Sequence, residues 1–180
     1  MAGETDAAVL AIFEASKKNF YRQLKDPTHR AKIENIATID GVYDETKRLQ
    51  DDQGKRGSLR NLRRINTYLQ RLNEYSDVLG TFVQAKPDIL ALIWGPIKLL
   101  IHLSSNVVKS LDAILDAMSL IGDKLPVLKD YAKLYAANDR VNHVLALIFG
   151  DILDFHLAAL NFFALKRESY PQTLGLLNHV

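Results

Sequence analysis

Residues 89–103 read Ile89-Leu90-Ala91-Leu92-Ile93-Trp94-Gly95-Pro96-Ile97-Lys98-Leu99-Leu100-Ile101-His102-Leu103, the most apolar run of the chain. At 15 residues it is shorter than the roughly 20 needed to span a bilayer, and Lys98 and His102 interrupt it. Apolar nearly all round, it predicts a helix buried on most of its sides. Lys86-Pro87-Asp88 opens it, since proline is tolerated in the first turn of a helix. Gly95-Pro96 within it predicts a kink or break, because proline removes one ladder hydrogen bond and clashes with the preceding turn. Amphipathic spacing returns through Val107, Leu111, Ile114, Leu115 and Met118, and Gly122 is a natural stop. A buried central helix over 88–121 is the predicted pillar of the fold.

The rest of the chain supplies helices to wrap that pillar. Thr5 suits the cap of a first helix reaching about Leu24, with Val9, Ile12, Phe13, Phe20 and Leu24 along one side. Asp26-Pro27-Thr28 breaks it. A second helix is expected over Thr28–Leu49, with Ile33, Ile36, Ile39 and Tyr43 inward, followed by a flexible loop at Asp51–Gly57. Ser58 caps a third, in which Leu62, Ile65, Leu69, Leu72, Leu79 and Val83 step by threes and fours. Only Ser76 interrupts that stripe, and the polar remainder predicts an outer helix with one buried seam. A short helix is expected over Pro126–Tyr135. Asn138 or Asp139 caps the last long helix, which carries Val141, Val144, Leu145, Ile148, Ile152, Phe155, Ala159 and Phe162 and is closed by Pro171. The expectation is an all-α chain: one helical bundle of about five to six helices over residues 1–170, with a short tail at 171–180.

Composition narrows the chemistry. The 180 residues are 48% hydrophobic and 24% charged, with a net charge of +2, so bulk charge argues against a dedicated polyanion binder. With no cysteine there is no disulfide framework, thiolate metal site or cysteine nucleophile, and a reducing, cytoplasmic setting fits. His29, His102, His143, His156 and His179 form neither His-x-x-x-His nor His-Glu-x-x-His. Asp151 and Asp154 beside His156 read better as solvent-facing polar residues than as metal ligands. Gly54-Lys55-Arg56 lacks the first glycine and the hydroxyl of a phosphate loop, and no serine sits in Gly-x-Ser-x-Gly. No catalytic, cofactor or metal residue is predicted, and the chain reads as a non-enzyme.

Two non-catalytic sites stand out. Lys55, Arg56, Arg60, Arg63, Arg64 and Arg71 form a cluster with no acid between Gln53 and Asn73. Such a patch can meet anionic lipid headgroups, RNA phosphate or an acidic protein face, and a plain solvated surface gives the same pattern. No aromatic residues interleave it apart from Tyr68, so no specific nucleic acid is expected. The second candidate is the first helix, where Val9, Ile12, Phe13 and Phe20 lie along one side and Lys17, Lys18, Arg22 and Lys25 crowd the C-terminal half. A basic amphipathic helix can insert into a membrane interface, or its apolar side can pack into the bundle.

Trp94-Gly95-Pro96-Ile97-Lys98-Leu99-Leu100 continues through Ser105-Asn106, Leu111-Asp112, Leu115-Asp116-Ala117, Ile121-Gly122, Leu125-Pro126 and Asp151-Ile152-Leu153-Asp154-Phe155-His156. This series resembles the helical domain of unknown function that opens many fungal STAND proteins, NLR-like receptors with NACHT and ankyrin or similar repeat regions. The resemblance spans roughly Asp77–Phe163, Trp-Gly-Pro is its most specific piece, and the first two helices match loosely. It implies an N-terminal effector or signalling module released when the receptor's NTPase oligomerises, and it carries over no catalytic residue. Several fungal N-terminal helical domains in this position, the HeLo class among them, resemble the four-helix killer domain of mixed-lineage-kinase-like protein and act on membranes. By that analogy the expected function is a cytoplasmic, cell-death-inducing domain recruited to anionic lipid. The alternative is an adaptor without membrane activity that binds itself or a receptor or adaptor protein.

Overall fold

The computed structural model describes residues 2–34, 38–55, 65–82, 87–104, 108–125 and 138–169, and over these the chain is all-helical. Seven helices are described: α1 (Ala2–Gln23), α2 (Thr28–Glu34), α3 (Ile39–Lys55), α4 (Asn66–Phe82), α5 (Pro87–Ser104), α6 (Val108–Lys124) and α7 (Asp139–Ser169). Ser58, Leu62, Val83, the short helix expected over Pro126–Tyr135 and the tail 171–180 lie outside the described residues.

Helix α5 contains the apolar run 89–103. Ile89, Leu92, Ile93, Trp94, Ile97 and Leu100 are all buried, and each of the other six helices touches it. The break expected at Gly95-Pro96 does not occur, for α5 continues through both residues to Ser104. Proline inside a helix costs about 3 kcal/mol. Burial of six large apolar side chains, at about 1.5–3 kcal/mol each, outweighs that cost. The glycine before it serves helix packing. A Cβ on Gly95 would lie 2.5 Å from the Ile33 carbonyl oxygen and 2.8 Å from Ile33 Cα, so α2 crosses α5 where only glycine leaves room.

The predicted pillar over 88–121 is two helices, α5 and α6, with residues 105–107 outside the described set. Gly122 does not stop α6, which runs to Lys124. It is a second crossing point, where a Cβ would fall 2.6 Å from the Tyr68 amide nitrogen as α4 passes over α6. Leu69, Leu72 and Leu79 are buried in α4 as the stripe predicts, and so is Ile65 just ahead of it. Tyr68 and Tyr75 are fully buried too, so α4 has a second buried row in place of the predicted single seam.

The N-terminal third departs most from expectation. Thr5 lies inside α1, which begins at Ala2. The helix expected over Thr28–Leu49 is divided into α2 and α3, and α3 absorbs the predicted loop up to Lys55. Gly54 costs a helix only about 1 kcal/mol, and the polar residues around it can face water without breaking the ladder. Tyr43, expected inward, is 39% exposed, while Val42 is buried in its place. Asp26 starts α2: its Oδ1 accepts hydrogen bonds from the Thr28 amide (2.9 Å) and hydroxyl (2.7 Å). Asn161 of α7 ties down the turn before it, donating to the Gln23 carbonyl (3.1 Å) and accepting from the Lys25 amide (3.2 Å). Asn138 caps α7 as predicted, with Oδ1 accepting from the Arg140 amide at 3.0 Å.

Gly95→Ala is expected to destabilise the chain by about 2 kcal/mol or more, since α2 backbone must move. Gly150→Ala in α7, where the nearest atom to a new Cβ is Ser16 Oγ at 3.4 Å, should instead stabilise by up to about 1 kcal/mol. Urea melts compare the two. A Gly95→Ala chain as stable as the parent would mean that α2 does not cross α5 there.

Candidate functional site

Of the basic cluster, Arg56, Arg60, Arg63 and Arg64 lie outside the described residues, as does the side chain of Lys55 at the end of α3. Arg71 is half-buried on α4, and its Nη1 meets Glu74 Oε2 at 3.2 Å one turn on. The signal for that pair was present in the i, i+3 spacing, just past the acid-free stretch.

The structure places the apolar side of α1 in the core. Val9, Phe13 and Phe20 are buried, Ile12 packs against the core, and the Phe13 and Phe149 rings meet edge to face at 5.1 Å between α1 and α7. On the outer rim, Lys17 Nζ lies 2.8 Å from Glu14 Oε2 and 2.6 Å from Asp88 Oδ2, joining α1 to the start of α5. Burial works against the Lys17 ammonium, but its hydrogen bonds to Asp88 and Glu14 prevail and raise its pKa; the same bond to Lys17 lowers that of Asp88. A part-exposed ion pair contributes about 1 kcal/mol or less. The three buried side chains contribute roughly 5–9 kcal/mol together, comparable to the whole stability of a typical domain. Apolar packing, far more than the bridge, holds α1 in place.

Helix α7 has two apolar faces, which the spacing of its apolar residues alone does not separate. Leu145, Ile152 and Ala159 are buried, whereas Val144 and Phe162 turn outward at 51% and 44% exposure. Leu147 (49%) and Leu165 (48%) join them, so four of the six large hydrophobic side chains exposed among the described residues belong to this helix. Asp151, Asp154 and Ala158 are exposed on the same side. Among the described residues α7 is also the one helix long and apolar enough, by length and composition, to cross a membrane (Arg140–Leu165), and half of its most apolar window is buried. A search for unbroken apolar runs misses it, because Asp151 and Asp154 divide the stretch.

The buried polar groups serve the fold. Tyr68 Oη and His156 Nε2 are 2.8 Å apart and both residues are fully buried, pegging α4 to α7. Tyr75 adds a second peg by donating to the Leu145 carbonyl at 2.5 Å. Burial pushes the His156 pKa down to about 3, so the imidazole is neutral. Nothing in the sequence marked these partners, which are 88 and 70 residues apart. Between α3 and α5, Glu45 accepts from Arg48 and lies 3.1 Å from His102 Nδ1, and the Arg48 hydrogen bond keeps its carboxyl below the usual range despite burial. A cavity of about 390 Å³ opens beside Lys25, Asp26, His29, Leu103 and Phe163. Asp26 Oδ1 is taken by Thr28 and Oδ2 sits 3.2 Å from His29 Nε2, so this carboxylate is already committed to the α1–α2 turn. Among the described residues no three His, Asp or Glu side chains converge as metal ligands.

The tyrosine pegs, the Gly122 crossing, Gly95 itself and the outer face of α7 fall within residues 63–170, which match the family described as a domain of unknown function, DUF7708; Ile33, which Gly95 meets, lies outside them. The match covers more than half of the chain, which therefore belongs to that family. No curated protein and no solved structure matches it.

The His156 site gives a pH test. Its pKa of about 3 in the fold lies below the ordinary 6.5, so the unfolded chain binds more protons between those values. The stability from neutral His156 is complete above pH 6.5 and is lost as pH falls toward 3, by up to about 1.4 kcal/mol per pH unit. Between pH 6.5 and 5, before carboxylates protonate, His156→Gln should flatten the stability slope in urea melts. An unchanged slope would contradict a buried, neutral imidazole.

Proposed function

We propose that the chain is a non-enzymatic effector or signalling domain of a fungal STAND, NLR-like receptor, a bundle wrapped on α5 that acts by protein association. The observation that carries this reading is the outer face of α7, where Val144, Leu147, Phe162 and Leu165 expose apolar surface on one helix. Exposed apolar side chains gathered on one helix face are what an interaction surface requires. The receptor setting rests on the resemblance at Trp94-Gly95-Pro96, and membership of a family of unknown function is consistent with it. On this reading the domain works in the cytoplasm, binding a receptor or adaptor protein or another copy of itself, and needs no cofactor.

A second reading is membrane recruitment. The apolar length of α7 favours it, and the cluster Lys55, Arg56, Arg60, Arg63, Arg64 and Arg71 would supply attraction to anionic lipid. An α1 route to the bilayer is less favourable, because Val9, Phe13 and Phe20 must first leave the core at a cost of several kcal/mol.

Expression of the full chain in yeast with a growth readout tests the first reading. Wild type is expected to slow growth, and Val144→Glu with Leu147→Glu to restore it without lowering the melting temperature, since both positions face water. A harmless wild type, or a folded double variant that stays toxic, would count against it. Leakage of anionic but not neutral vesicles, reduced by Arg71→Glu, would favour the membrane reading.

A further inference from the structure

The outer face of α7 has a finer pattern than scattered exposure. Val144, Ile148, Phe155, Ala158, Phe162 and Leu165, with Asp151 between the second and third, step by four and three throughout. This is the spacing of a coiled-coil seam. It differs from the row facing the core, which runs through Leu145, Ile152 and Ala159. Val144, Phe162 and Leu165 are close to half exposed and Ala158 and Asp151 are exposed, while Ile148 and Phe155 are half-buried and pack against the core, so the seam reaches solvent at its centre and both ends and is partly covered between. From first to last position it is about 32 Å long, enough to hold a partner helix of six turns.

Charge decides what such a partner must carry. Asp151 occupies a seam position and Asp154 flanks it one turn on, both exposed, and no Lys or Arg occurs between Arg140 and Lys166. The middle of the face is therefore negative. A second copy laid along it would bring four carboxylates into the same central turns, and like charges 4 Å apart near a protein surface repel by as much as about 4 kcal/mol. A helix with Lys or Arg at that level turns the penalty into attraction and fixes the register.

We propose that α7 docks an amphipathic helix of another protein, whose apolar seam is interrupted at its centre by Lys or Arg; this rests on reading the α7 face as the interaction surface. Two synthetic peptides of about four heptads, identical except for a central Lys pair or a central Glu pair, test it by calorimetry against the full chain. The Lys peptide should bind at least tenfold more tightly at low salt, and the gap should close in high salt and in the Asp151→Asn, Asp154→Asn chain. Equal affinity for both peptides overturns the charge requirement. If Val144→Glu with Leu147→Glu still abolishes that equal binding, the face survives as a docking surface and only the partner's chemistry is wrong. Binding of neither peptide overturns the proposal, as does a dimer in light scattering whose dissociation constant ignores Asp151→Asn and Asp154→Asn.

Discussion

A helix as apolar as α5 can be enclosed only if its neighbours come close enough to exclude water, and at Gly95 that closeness reaches its limit. The backbone of α2 passes where a Cβ would stand, 2.5 Å from the Ile33 carbonyl oxygen. Trp94 and Ile97 on either side are thereby sealed, and the remaining helices are arranged around the result. Gly122 repeats the device between α6 and α4, where it brings the Tyr68 backbone close. Tyr68 then reaches His156 on α7, so one glycine crossing sets up the polar peg that aligns the longest helix.

That alignment decides which face of α7 meets water. With Leu145, Ile152 and Ala159 drawn inward, the row from Val144 to Leu165 turns to water. The same helix could have been pinned by apolar contact alone, but a buried tyrosine–histidine pair fixes its rotation because an unmatched polar group in the core is costly. Helix α1, by contrast, is held by packing of Val9, Phe13 and Phe20 and only trimmed by the Lys17 bridge. The two apolar faces differ in availability: the α1 face, which sequence reasoning raised as a candidate, is consumed by the core, and the outer face of α7, which it missed, is exposed.

What the sequence carried plainly was whatever local pattern determines. The all-helical class, the burial of Trp94 and Leu100, the α4 stripe at Leu69, Leu72 and Leu79 and the Asn138 cap all follow from hydrophobic period and capping chemistry. Long-range geometry was not legible. Gly95 and Gly122 read as a breaker and a stop because glycine has those local roles, whereas here each answers a crossing helix remote in the chain. Tyr68 stood out only as the lone aromatic residue beside the basic cluster, and its partner His156 is 88 residues away. On α7 the apolar residues were visible but their division into two faces was not, since a helix apolar on more than one side does not say which side the core takes. The predicted loop at Asp51–Gly57 failed up to Lys55 because polar composition alone does not end a helix.

Because the chain has no native cysteine, single cysteines report accessibility against a clean background. The most direct measurement is the maleimide labelling rate of Val144→Cys and Ala158→Cys beside Leu145→Cys, Ala159→Cys and Leu100→Cys in the full chain. The first two should label at the rate of the unfolded chain, while the other three should label only as the protein unfolds. Protection at 144 and 158, or rapid labelling at 100, would contradict a buried α5 with the outer face of α7 presented to solvent.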